Sequence, residues 1–291
     1  MLPGTSAKTL MFARRWMAVA GLALSAMTGW GGASTLGSGG TPAGSVPISG
    51  NWAFSPALTS EPPVLPPFVG GDLTASGNRV DGDILVLLLN NSCPLTGDLG
   101  VTLTGSVANS QLKLVSSAWN GGVFKVEGTV AADRKTISAT WSIAGGCADG
   151  ESGSMIATYV PPLSGTLTGT ASDAPGHNTS SLTGAALTID VQQAATPRGF
   201  AFPISGSVKI AGTGCGFTDG KLIQVDDMTA LAPSSIVGEE LTMEAQMDDG
   251  KSLAIIAGEA DLIKPGKWIT VVLIFEGPCD GAVAEVLLSA S

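Results

Sequence analysis

The sequence predicts an all-β protein: two tandem, mainly antiparallel meander domains of about eight strands each, closed as barrels or flattened toward sandwiches. Three observations carry this reading. Apolar residues recur with a period of two: Ile137, Ala139, Trp141 and Ile143 alternate with Ser138, Thr140 and Ser142, and Phe202, Ile204, Val208 and Ile210 alternate with Pro203, Ser205, Ser207 and Lys209. That is the pattern of strands with one dry face and one wet face. Turn signals punctuate the alternation at Ser76-Gly77-Asn78, Asn120-Gly121-Gly122, Asp248-Asp249-Gly250 and Lys264-Pro265-Gly266. The composition has 40 glycines, only 13% charged residues and a positive mean hydropathy of +0.34. This describes a β-rich folded chain rather than a disordered one.

Taken in order, residues 1–33 read as an export signal. Arg14 and Arg15 supply the positive start, and Met17 to Thr28 form an apolar run too short to span a bilayer. Gly31 and Ala33 stand at the small-residue positions of a cleavage site before Ser34. The surroundings of the arginine pair, Ala13 and Trp16-Met17-Ala18, fit twin-arginine export poorly, so general secretion is favoured. Residues 34–47 are a Gly/Ser/Pro spacer with nothing to bury. The first β domain is expected over 48–162 and the second over 163–291. No later stretch has the length and helical character of a membrane span, since the runs Ile84–Leu89 and Val271–Phe275 are strand-sized.

The two domains read as copies of one unit. Ile48-Ser49-Gly50 opens the first and Leu163-Ser164-Gly165 the second. Cys93-Pro94-Leu95-Thr96-Gly97 then answers to Cys215-Gly216-Phe217-Thr218, and Cys147-Ala148-Asp149-Gly150 to Cys279-Asp280-Gly281. In the first unit strands are expected near 49–55, 69–75, 83–90, 99–107, 110–118, 122–131, 135–144 and 153–160. In the second they are expected near 163–171, 183–192, 203–212, 218–225, 238–247, 251–260, 267–276 and 282–289. Short sequential connections favour a meander, and closure would remove exposed edges.

Two resemblances accompany these residues. Gly50-Asn51-Trp52 is similar to the Gly-x-Trp that opens the first strand of lipocalin- and avidin-like barrels, which implies a tryptophan plugging one barrel end. The Ser-Gly strand openings and the Cys-turn pattern resemble a family of uncharacterised bacterial secreted proteins and lipoproteins with tandem repeats, over residues 48–291. That likeness implies no activity and no site residues. The run Met27-Thr28-Gly29-Trp30-Gly31-Gly32 also resembles a lipobox, but Trp30 holds the position of the lipidated cysteine. An indole cannot carry the thioether, so the expected product is an unanchored periplasmic or extracellular protein.

Four cysteines permit three connectivities. A duplicated unit that folds alone should carry its own bridge, which pairs Cys93 with Cys147 and Cys215 with Cys279, and an oxidising compartment favours bridges over thiols. In an eight-stranded meander the paired turns lie at one end but on opposite sides, so the loops must fold across that mouth or the barrel must flatten. Without a Cys-x-x-Cys motif or a neighbouring histidine, zinc and thiol-redox chemistry are not expected.

Little else points to chemistry, and no catalytic, cofactor-binding or metal site is expected. Once the signal is removed with Lys8, Arg14 and Arg15, the chain keeps 11 basic against 24 acidic residues, a net charge of −13. That argues against nucleic acid and anionic lipid as partners. His177 is the only histidine and sits in a turn-rich loop without a nucleophile elbow. The acid pairs Asp226-Asp227, Glu239-Glu240, Asp248-Asp249 and Asp81 with Asp83 read as turn and strand residues, with loop calcium as the lesser alternative. Trp52 and Trp141 read as core, Trp268 as core or a sugar-binding face, and Trp119, beside a turn, as the best candidate for a surface contact. The sequence points to a noncatalytic exported β module acting through surface contacts or as a scaffold, whose partner would be an envelope component. A barrel binding a small apolar ligand is the alternative, and a carbohydrate-active enzyme a more distant one.

Overall fold

Strands begin where the alternation begins. The computed structural model describes residues 48–57, 68–86, 100–174, 181–224, 233–262, 264 and 266–290. The first half contains β1 (Gly50–Pro56), β2 (Phe68–Ser76), β3 (Arg79–Val86), β4 (Gly100–Ala108), β5 (Gln111–Ser116), β6 (Gly122–Val130), β7 (Thr136–Gly145) and β8 (Ser152–Val160). Each pairs antiparallel with the next, and β8 pairs back onto β1, so the sheet closes into a barrel without a free edge. The third strand lies earlier than the expected 83–90. Ser76 pairs with Arg79 across a two-residue turn, so the ladder starts directly after Gly77-Asn78 and the acids of β3 belong to its wet face.

The second half contains β9 (Ser164–Ser172), β10 (Ala186–Gln193), β11 (Phe202–Ala211), β12 (Asp219–Leu222), β13 (Ser235–Val237), β14 (Glu240–Met247), β15 (Leu253–Ala260), β16 (Lys267–Phe275) and β17 (Val283–Ala290). They run in the order β10-β9-β17-β16-β15-β14-β12-β11, and the pairing of β10 with β11 closes the ring. One position in that ring is split. β12 pairs with Ser207–Lys209 and Ala245–Met247, whereas β13 pairs with Phe202–Pro203 and Glu240–Thr242, so two short strands share one slot. Near the break the Ser234 hydroxyl accepts from the Glu244 N–H at 3.2 Å, and the Ser234 carbonyl accepts from the Ile204 N–H at 2.9 Å.

Both interiors are filled by side chains. Trp52, Leu73, Ile84, Leu114, Phe124 and Trp141 are buried in the first, and Ile189, Ile204, Met243, Ile256, Val272 and Leu288 in the second. Trp52 seals one end of the first barrel: its indole N–H donates to the Ile48 carbonyl at 2.8 Å, and its ring meets Tyr159 edge-on with centroids 5.8 Å apart. Gly50 is required there, because its φ is +131° and a Cβ would fall 2.7 Å from the Tyr159 ring.

The turns that follow β7 and β16 repeat one device. Each holds a single 3₁₀ turn, at Gly146–Ala148 and Gly277–Cys279. In each an aspartate four residues on accepts a backbone N–H, Asp149 from Gly145 at 2.6 Å and Asp280 from Glu276 at 2.9 Å. Cys147 stands two residues into this device and Cys279 three, and the first is exposed while the second is buried. Cys279 is bonded to Cys215, with Cα atoms 5.4 Å apart. Cys215 and Phe217 belong to the core of the second barrel, so the loop after β11 folds across the mouth and no flattening is needed. Cys147 is also disulfide-bonded; Cys93 lies outside the described residues.

The two barrels belong to one compact unit and meet along a row of three small residues and Leu85 that register alone brings together. Ala53 pairs with Gly70, Gly70 with Leu85, and Leu85 with Gly100 across β1 to β4. Gly238, in the turn between β13 and β14, lies so close that a Cβ on Gly70 would come within 2.5 Å of its Cα. Phe200 stands over Gly100, and Ala53 joins the core of the second barrel. Asn51, only 2% exposed, donates to the Gly238 carbonyl at 2.8 Å and accepts from its N–H at 2.7 Å. Asn51→Ala leaves both backbone groups buried without that partner and is expected to lower stability by about 2 kcal/mol in urea unfolding. An unchanged midpoint would show that the seam holds without this clasp.

Candidate functional site

The residues singled out by sequence do not assemble into a reactive centre. Trp119 is half-buried, packs on the first core and stacks at a tilt on Phe124 with ring centroids 5.5 Å apart. It opens a tight turn in which its N–H and C=O bond to Gly122 at 2.8 and 2.9 Å, so its ring supports the hairpin. Trp52, Trp141 and Trp268 are buried in the barrels. His177, Asp226 and Asp227 lie outside the described residues. Among the described residues no three histidine, cysteine or acidic side chains converge as a metal site would require.

Most of the remaining acids hold turns and strand edges. Asp81 pairs with Arg79 at 2.6 Å, and Asp83 accepts from the Thr102 hydroxyl at 2.7 Å. Asp248 accepts from the Thr218 N–H at 3.1 Å. Asp249 accepts from the Ser252 hydroxyl at 2.6 Å and from the N–H groups of Lys251 and Ser252, which hold its carboxyl below the usual range. Glu239 and Glu240 differ. Glu239 sits in the turn after Gly238, and Glu240, the first residue of β14, lies opposite Glu259 of β15. Burial, reinforced by the Glu259 charge, pushes Glu239 up to about 7, and burial with both neighbouring carboxylates pushes Glu240 up to about 8. Burial also raises Glu259 and Glu244.

Two cavities open on the first barrel. A groove of about 520 Å³ runs over β5 to β8 and is lined by Gln111, Thr129, Ser138, Thr140 and Ser154. A cleft of about 270 Å³ lies at the end sealed by Trp52, between Tyr159 and the turn bearing Arg134 and Lys135.

The most distinctive surface is the outer face of β15, β16 and β17. Core-facing positions on these strands include Ala254 and Ile256, Val272 and Ile274, and Ala284, Val286 and Leu288, so the intervening residues point outward. Apart from Glu285 those are apolar as well. Ile255, Leu273 and Val283 lie side by side in register and are buried, and Leu273 and Val283 pack with Ala174, Val271 and Phe275 into a second cluster outside the barrel interior. Next to it Ile269 faces Leu287 across the strands, 49% and 52% exposed. Scattered surface leucines are ordinary, whereas two exposed aliphatic side chains paired across adjacent strands make this part of the face a candidate contact region. Sequence reasoning missed this face; its signal was the unbroken run Val271–Phe275, which makes a strand apolar on both sides.

Fold and surface together define a tandem pair of closed, side-chain-filled antiparallel β-barrels with an aliphatic patch on one outer face. Compared with known families, curated proteins and solved structures, the chain matches none.

Proposed function

We propose that this is a noncatalytic exported β module that acts through its outer surface, with the face of β15 to β17 as the contact region. The observation that carries this reading is the exposed, in-register pair Ile269 and Leu287 on a barrel whose interior is already filled. Side chains such as Met243, Ile256 and Leu288 occupy the volume that a small apolar ligand would need, which favours contact over ligand storage. The signal-like residues 1–33 and the Cys215–Cys279 bridge support export, and Trp30 at the lipobox position supports an unanchored product. None of the described helical segments is long and apolar enough to cross a membrane.

Native mass spectrometry of the protein purified from its own host tests the reading. The expected mass is that of the processed, disulfide-bonded polypeptide alone, with chemical cross-links to a partner protein mapping to β16 and β17. A stoichiometric small molecule retained in the barrels would overturn it.

A further inference from the structure

The open part of the β15 to β17 face carries a charge pattern as well as an apolar one. Glu259 lies in register beside Ile269, and Glu285 sits beside Val271 on the strand that carries Leu287. On β14 Glu244 lies opposite Ile255, whereas Glu240, opposite Glu259, is kept protonated at neutral pH by burial and adds no charge there. Against Glu244, Glu259 and Glu285 the outward positions of β14 to β17 offer one cation, Lys267 at the start of β16. Glu259 therefore stands beside the aliphatic pair across the strands, and Glu285 stands two residues before Leu287 on its own strand.

We infer that this face docks a polypeptide segment whose aliphatic side chains cover Ile269 and Leu287 and whose flanking lysines or arginines meet Glu259 and Glu285. The inference rests on the surface-contact reading above. A second copy of this chain fits poorly, because it would bring the same glutamates toward each other in a protein of net charge −10. An extended segment that carries its aliphatic and its basic residues at every second position meets both features at once, because those side chains share one face and Ile269, Leu287, Glu259 and Glu285 share the face they meet.

The test uses the full mature chain and a short fluorescent peptide whose every second residue is in turn lysine, leucine, leucine and lysine, with serine between them, and a counterpart carrying glutamate in place of lysine. The lysine peptide should bind at least about tenfold more tightly, and its affinity should fall as salt is raised. Leu287→Asp should weaken it at least about tenfold. Because that variant alone could disturb the strand, the charge reversal Glu259→Lys with Glu285→Lys provides the second arm, and it should transfer the preference to the glutamate peptide. Equal binding of both peptides, or a preference that the reversal leaves in place, would overturn the inference. So would protection of Ile269 and Leu287 in a concentration-dependent dimer, or docking of this face onto zwitterionic vesicles. Those outcomes change what occupies the face and put no small molecule in the barrels, so the module reading would stand; a retained small molecule would remove that reading whatever the peptides do.

Discussion

Replacing Cys215 and Cys279 together by serine is expected to destabilise the protein by about 4 kcal/mol, because the bridge closes a long loop in the unfolded chain. The two cysteines are 64 residues apart in sequence. Chain entropy therefore dominates, and any loss of packing adds to it: Cys215 is fully buried and shares the second core with Phe217. The loop after β11 would no longer be tied over the mouth, while the strand ladders of the ring stay intact. Thermal unfolding should show a fall in Tm on the order of 10 °C, with native-like circular dichroism below the transition. A double variant melting with the natural protein would mean that the loop is held by packing alone.

The second large effect concerns pH. Glu240 and Glu239 have an ordinary value of 4.5, raised in the folded chain to about 8 and about 7. Below about pH 4.5 folded and unfolded chains both hold these protons, and the two groups make no demand. As pH rises from there the unfolded chain releases them while the folded chain keeps them, so each step in pH favours unfolding until the folded groups ionise near 7 and 8. The stabilising contribution is thus complete on the acid side and lost across that window. The groups around this pair, Glu259 on β15 and Glu244 on β14, shift in the same direction and reinforce it. Asp81 and Asp249 are lowered, so their contributions disappear only in stronger acid, below 3.8. Glu240→Gln should flatten the profile and raise stability at pH 8 by on the order of 3 kcal/mol. Urea midpoints taken from mildly acidic to mildly alkaline pH provide the measurement. Parallel profiles for the variant and the natural protein would refute the assignment.

Much of the architecture is legible in the sequence because strand alternation and turn chemistry are local. Ile137 to Ile143 announce β7, and Asp248-Asp249-Gly250 announces the hairpin between β14 and β15. What escaped is what depends on register. Ala53, Gly70, Leu85 and Gly100 are four unremarked residues on four strands, and only pairing makes them a groove for Gly238 and Phe200. The three residues of β13 are too few to show a period, and their place is set by β11 and β14 on either side. The candidate site suffered in a different way. Trp119 drew notice because tryptophan beside a turn is often exposed, yet Phe124 offered it a ring to lie on. Ile269 and Leu287 drew none, because an aliphatic residue in an apolar run reads as core until its partner strand is known.

The clasp between Asn51 and Gly238 joins residues 187 positions apart, and this orders events during synthesis. Barrel one is complete in sequence at β8, long before the turn that covers its small-residue row exists. A chain arrested between the barrels would carry a finished ring with a naked Leu85 in its wall. Contacts of such high sequence separation form slowly, so the row on the first barrel is expected to stay uncovered until the second barrel has folded against it.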